Sequence, residues 1–79
     1  MPLYYFDLHD AREMQRDETG TDFATAEEVI KAARGFLPDV AREEIPKNGD
    51  CRHFVVLVRD QHGNPFYSAT LAFTGLRLR

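Results

Sequence analysis

The chain has one cysteine and no tryptophan among its 79 residues. A single thiol closes no internal disulfide, so a disulfide-stapled scaffold is excluded and the expected location is the cytoplasm. No apolar run approaches the roughly 20 residues that a membrane-spanning helix needs. The opening Met1-Pro2-Leu3-Tyr4-Tyr5-Phe6-Asp7 has no basic stretch ahead of an apolar one and does not read as a signal peptide. Charge of one sign is also scarce. Ten Lys and Arg against thirteen Asp and Glu leave a net charge of -3, which does not draw a whole chain to a phosphate backbone. The glycines at 20, 35, 49, 63 and 75 are scattered singly, so no glycine-rich phosphate cradle follows a strand.

What is present is ordinary globular composition, 43% hydrophobic and 29% charged, and the whole of 1–79 reads as one small domain. A chain this short buries only about 60% of its unfolded surface, so self-association would add needed stability. Leu3 to Asp10 alternates as a first strand, with Tyr4, Phe6 and Leu8 on one side and Leu3, Tyr5, Asp7 and His9 on the other. A turn is expected at Asp10-Ala11-Arg12, and a short polar edge strand over Glu13 to Asp17. Glu18-Thr19-Gly20-Thr21 reads as a loop.

Thr25 and Glu28 form a capping box ahead of an apolar stripe at Ala26, Val29, Ile30, Ala33, Phe36, Leu37, Val40 and Ala41. The expected helix runs from about Thr25 to Glu44. It is kinked between Arg34 and Pro38 or nearly continuous there, rather than restarted as a second helix at Pro38, and it is ended by Pro46, Asn48 and Gly49. A third strand spans Arg52 to Asp60, a turn covers Gln61 to Pro65, and a fourth strand runs from Phe66 to about Leu76. A basic Leu-Arg-Leu-Arg segment follows.

The order β-β-α-β-β predicts an α+β fold: a four-stranded, mainly antiparallel sheet with one helix on one face. The expected core is Phe6, Leu8, Val29, Ile30, Ala33, Phe36, Leu37, Phe54, Val56, Val58, Leu71 and Phe73.

One helix covers one side of a sheet, and the other side should then be polar. The first and third strands break that rule, because Leu3, Tyr5, Val55 and Leu57 fall on the face the helix leaves open. With Phe66 nearby they predict an apolar patch of the size that marks interaction sites. Leu3, Tyr5, Val55 and Leu57 are therefore the expected interface anchors, with Arg59 and Phe66 at the rim, and the simplest partner is a second copy in a two-fold dimer. Cover by Arg59 and Arg52, or by the kinked helix segment and the basic tail, is the competing explanation.

Reactive chemistry is thinly represented. Asp7 with His9, and Cys51 with His53, are spaced to share strand faces, and these are ligand types that zinc accepts. No paired-cysteine or His-x-x-x-His spacing accompanies them, so they read as solvated rim residues. Cys51, between Asp50 and Arg52, reads as a filler rather than a nucleophile. No catalytic residue, metal or cofactor is expected. Nucleic acid is the serious rival, since an open face with Tyr5, His53, Arg59 and Phe66 suits base stacking, and Arg52, Arg77 and Arg79 suit phosphate. The acidic balance and the aliphatic Leu3, Val55 and Leu57 argue against it.

Several segments together resemble a known family. They are the opening Met1 to Asp10, the Arg16-Asp17-Glu18-Thr19-Gly20 segment, the alanine-rich helix after Phe23, and the closing strand–Asp60…Gly63–strand hairpin. That family consists of small bacterial proteins catalogued as a domain of unknown function. Its pattern is an aromatic first strand ending His-Asp-Gly, then Asp-x-x-Gly, a helix and a final hairpin. The resemblance covers nearly the whole chain and implies a bacterial cytosolic protein, with no activity and no functional residues to carry over. Departures are Ala11 in place of the glycine after His-Asp, the Gly35–Pro38 interruption and the Leu-Arg tail. Physically, Asp17…Gly20 and Asp60…Gly63 are turn chemistry.

The expectation is thus a non-enzymatic interaction module, most simply a homodimer through the open face, with another protein as a possible partner and no membrane association. The alternative is a small nucleic-acid-binding or regulatory protein using the same face and its arginines.

Overall fold

The structure is a computed structural model that describes residues 2–10 and 13–79. It contains β1 (Leu3–His9), β2 (Met14–Gln15), β3 (Thr21–Asp22), α1 (Ala26–Asn48), β4 (Cys51–Arg59) and β5 (Pro65–Thr74). The strands form one antiparallel sheet in the order β2-β1-β4-β5, with β3 pairing a second stretch of β1. The α+β architecture read from the sequence is therefore the observed one. The turn expected at Asp10-Ala11-Arg12 falls at positions 11 and 12 outside the described residues. On its flanks, the Asp10 N–H donates to the Glu13 carbonyl, and the Glu13 N–H donates to Asp10 Oδ1, both at 2.9 Å.

The second strand is shorter than the expected Glu13–Asp17, and the expected loop contains the start of β3. The reason lies in the register. Leu8 pairs with Gln15 and Tyr4 pairs with Thr21, so six steps of chain lie against four steps of β1. The segment is one edge strand split by an inserted bulge, and each half keeps two paired residues.

Thr25 caps α1 as expected, its hydroxyl accepting from the Glu28 N–H at 3.2 Å. The Glu28 carboxylate accepts from the Ala24 N–H at 3.3 Å, one residue further back than the usual box. The helix then runs without a break through Gly35, Pro38 and Pro46 to Asn48, beyond the expected end near Glu44. Both prolines are exposed, as are Arg34 and Arg42, whose carbonyls lose their donors, so water can satisfy those carbonyls. Near the end, Arg52 Nη1 donates to the Glu44 carbonyl at 3.4 Å. Gly49, at φ 100°, supplies the stop that Pro46 does not.

Val29, Ala33, Leu37 and Ala41 of α1 meet Phe54, Val56 and Val58 of β4 in the buried core. Tyr4, Phe6, Leu8, Phe36 and Leu71 pack around it. Ile30 and Phe73, expected in the core, stay half-buried outside this cluster, while Ala41 joins it. Phe73 pairs with Arg52 where the helix-side surface turns polar. Phe23, just before the cap, is a further addition: its ring lies 6.1 Å from that of Tyr4 and 5.8 Å from that of Phe6.

The β4–β5 hairpin is closed by Asp60. Its Oδ1 accepts from the His62 and Asn64 N–H groups at 2.9 Å, its carbonyl accepts from Gly63, and Gly63 adopts φ +85°. The turn chemistry needs no ligand.

Candidate functional site

Register defines the face away from α1. Asp7 lies opposite Leu57, His9 opposite Val55, and Tyr5 opposite Arg59; across β5, Leu57 faces Ser68 and Val55 faces Thr70. Leu3, Tyr5, Val55 and Leu57 are all half-buried. Val55 and Leu57 sit on the strand flanked on both sides, so they occupy the middle of this face.

One of the six expected interface residues is placed differently. Phe66 is 39% exposed but its ring lies 5.2 Å from that of Tyr4, which packs with the helix-side core. A register shift at Val58/Arg59 takes Phe66 out of simple alternation and turns it away from the open face. Arg59 stands on the expected face, opposite Tyr5, and is engaged by an internal partner. Its side chain is 12% exposed, Nε donates to Asp7 Oδ2 at 2.6 Å, Nη2 donates to Asp7 Oδ1 at 3.1 Å, and the guanidinium stacks 4.8 Å from the Tyr5 ring centre.

Asp7, a buried charge only 3% exposed, is the centre of an assembly the strand alternation alone does not reveal. The bulge between β2 and β3 folds onto it. The Asp17 N–H donates to Asp7 Oδ1 at 2.9 Å, and the Asp17 carbonyl accepts from Arg59 Nη2 at 3.0 Å. The Asp17 carboxylate accepts from the N–H groups of Phe6, Thr19 and Gly20, each at 3.1 Å, and so replaces the strand partner that the bulge removes from Phe6. Gly20 closes over Tyr5 at φ +78°, where a Cβ would stand 2.9 Å from Tyr5 Cε1. The two sequence segments that carried the family resemblance, around Asp7 and around Asp17–Gly20, are thus one wired unit.

The electrostatics follow from this wiring. The hydrogen bond from Arg59 holds the Asp7 carboxyl below its ordinary value against the opposing effect of burial. Burial raises the Asp17 carboxyl, but the N–H donors of Gly20, Phe6 and Thr19 outweigh it and leave a net lowering. The Asp7 hydrogen bond raises Arg59 in turn. Asp17→Ala should cost about 2 kcal/mol, because it strips acceptors from several backbone donors at once; urea unfolding with an unchanged m-value would read it. Gly20→Ala meets both the Tyr5 ring and an unfavourable φ, and should destabilise by roughly 1–3 kcal/mol in the same assay.

Reactive groups on this face do not converge. Asp7 is committed to Arg59, Cys51 is an exposed free thiol, and His53 pairs with Ala72 rather than with His9. Among the described residues no three His, Cys, Asp or Glu side chains are grouped to hold a metal. Arg52 lies on the helix side, 11% exposed, ion-paired to Asp10 at 3.4 Å and Glu44 at 3.8 Å, and stacked on Phe54. A groove of about 370 Å³ opens between α1 and β1–β2, floored by Leu8, Phe36 and Val40 and rimmed by carboxylates such as Glu13 and Glu43. Its rim repels phosphate. Among the described residues no helix is long and apolar enough to cross a membrane.

No curated protein and no solved structure matches the chain significantly. A family model does, over residues 3–72, from the first residue of β1 to near the end of β5. The chain belongs to the family described as a domain of unknown function, DUF6894.

Proposed function

We propose that this domain is a non-enzymatic interaction module that pairs with a second copy of itself through the open sheet face. Val55 and Leu57 form the centre, with Leu3 and Tyr5 alongside. The observation that carries the reading is the pair of aliphatic residues in mid-sheet with no helix over them. Two further features support it. The charges flanking them, Asp7 and Arg59, pair with each other, so neither is left uncompensated where two such faces meet. The Asp7–Asp17–Arg59 unit also holds the face rigid, which lowers the ordering cost of association.

A standard interface takes about 800 Å² per partner, roughly one seventh of the 5754 Å² that the chain exposes. Val55 and Leu57 alone do not supply that, so the contact extends over His9, His53 and Thr70. A cytoplasmic setting is part of the proposal, because the exposed Cys51 thiol suits a reducing compartment. Nucleic acid is the weaker reading, with Arg52 and Arg59 already engaged by carboxylates.

The test is the Val55→Glu variant. It should keep the circular dichroism of the wild type and have half its solution mass at equal concentration, at low and high salt alike. Equal masses would contradict the proposal.

A further inference from the structure

The two edges of the sheet are built in opposite ways. Edge strands expose unpaired N–H and C=O groups, and soluble domains blunt them with charges, bulges and short strands. The β2–β3 edge has every one of these devices: two-residue strands, an inserted bulge, and Glu13, Arg16, Asp17, Glu18 and Asp22 along it. The β5 edge has neither charges nor short strands. It runs for ten residues, Pro65–Thr74, without one charged side chain, and its sole proline is the first residue. The single register shift in the hairpin lies at its very start, beside Val58 and Arg59. Nothing among the described strands lies beyond it.

Burial repeats the contrast. On β4 the helix-side residues Phe54, Val56 and Val58 are 0% exposed. Their cross-strand partners on β5, Leu71, Ala69 and Tyr67, stay half-buried, although α1 packs against both strands. An uncharged strand of ten residues, with a row of half-buried apolar side chains along it, is what a second identical strand would complete.

We propose that β5 pairs edge to edge, antiparallel, with β5 of a second copy, so that the two sheets become one continuous sheet. The occupant is a second copy because antiparallel pairing of a strand with itself is two-fold symmetric and closes. The alternation of apolar and small polar residues also brings Tyr67, Ala69 and Leu71 of both copies onto one side. The contact is separate from the open-face pairing and does not rest on it. Edge pairing lies in the plane of the sheet and sets the two open faces side by side, where face pairing can act independently.

The test is amide hydrogen exchange by NMR on the full chain, in the wild type and in Val55→Glu. The ladder with β4 protects alternate amides of β5. If the edge is paired, the intervening amides are also protected at high concentration and lose that protection on dilution, in both chains. Should Val55→Glu fail to fold, the wild type alone gives the same reading, since these amides point along the sheet rather than out of its open face. Intervening amides that exchange freely at high concentration would overturn the proposal. So would protection that persists unchanged once the mass has fallen to 9.1 kDa. Neither result bears on the mass ratio that tests the open face.

Discussion

Asp7→Ala is expected to lower the unfolding free energy by about 3 kcal/mol, a large share of what a domain of this size possesses. Asp7 is 3% exposed and accepts hydrogen bonds from Arg59 and from the Asp17 N–H. Removing it leaves a half-buried guanidinium facing a bulge that has lost its anchor, and an unmet charge costs more than the pair was worth. The diagnostic is a double-mutant comparison. Asp7→Ala combined with Arg59→Met should be less destabilised than Asp7→Ala alone, because the orphaned charge goes with its partner. Additive losses in urea unfolding would mean that the two side chains act separately.

The same unit sets the response to acid. Asp7 and Asp17 are both lowered in the folded chain. The unfolded chain therefore takes up protons first as pH falls past the ordinary carboxylate value near 4. The stability these groups contribute is fully present above that value. It is lost as pH drops through their lower folded values. Thermal melts should hold steady from pH 8 to about 5 with respect to these groups and fall steeply below 4. Asp7→Ala should show a shallower fall, having already lost its share.

Val55→Glu is the second large effect, and it acts on association rather than on folding. Val55 lies across from His9 and Thr70 at the middle of the open face. In a single copy the new carboxylate projects into water at little cost. In a paired assembly two carboxylates would be desolvated against each other's apolar surface. A penalty of about 3 kcal/mol corresponds to roughly 100-fold in Kd.

The architecture was legible because its signals are periodic. Alternation gave β1, β4 and β5, and spacing of three and four gave α1. Local rules failed where tertiary context overrode them. Pro46 reads as a terminator, yet an exposed last turn tolerates it, and Arg52 from β4 takes up a nearby carbonyl. Thr21 reads as loop and Asp22 carries no strand signal, because a two-residue rung has no period. The Asp7–Asp17–Arg59 unit was out of reach for a related reason: its members lie 10 and 52 residues apart, and no local pattern joins them. A signal was present, since an aspartate amid LYYFDLH on a strand beside the core needs a cation, and Arg59 ends the central strand. Phe66 was misplaced because a single register shift breaks the alternation on which its face was assigned.

Light scattering on a sizing column, with wild type and Val55→Glu run at the same concentration and at low and high salt, tests self-association through the open face most directly. The account predicts a wild type of at least twice the 9.1 kDa chain mass, unaffected by salt, and a folded Val55→Glu at half the wild-type value. A wild type and variant of identical mass, or a Val55→Glu chain that has lost its fold, would contradict it.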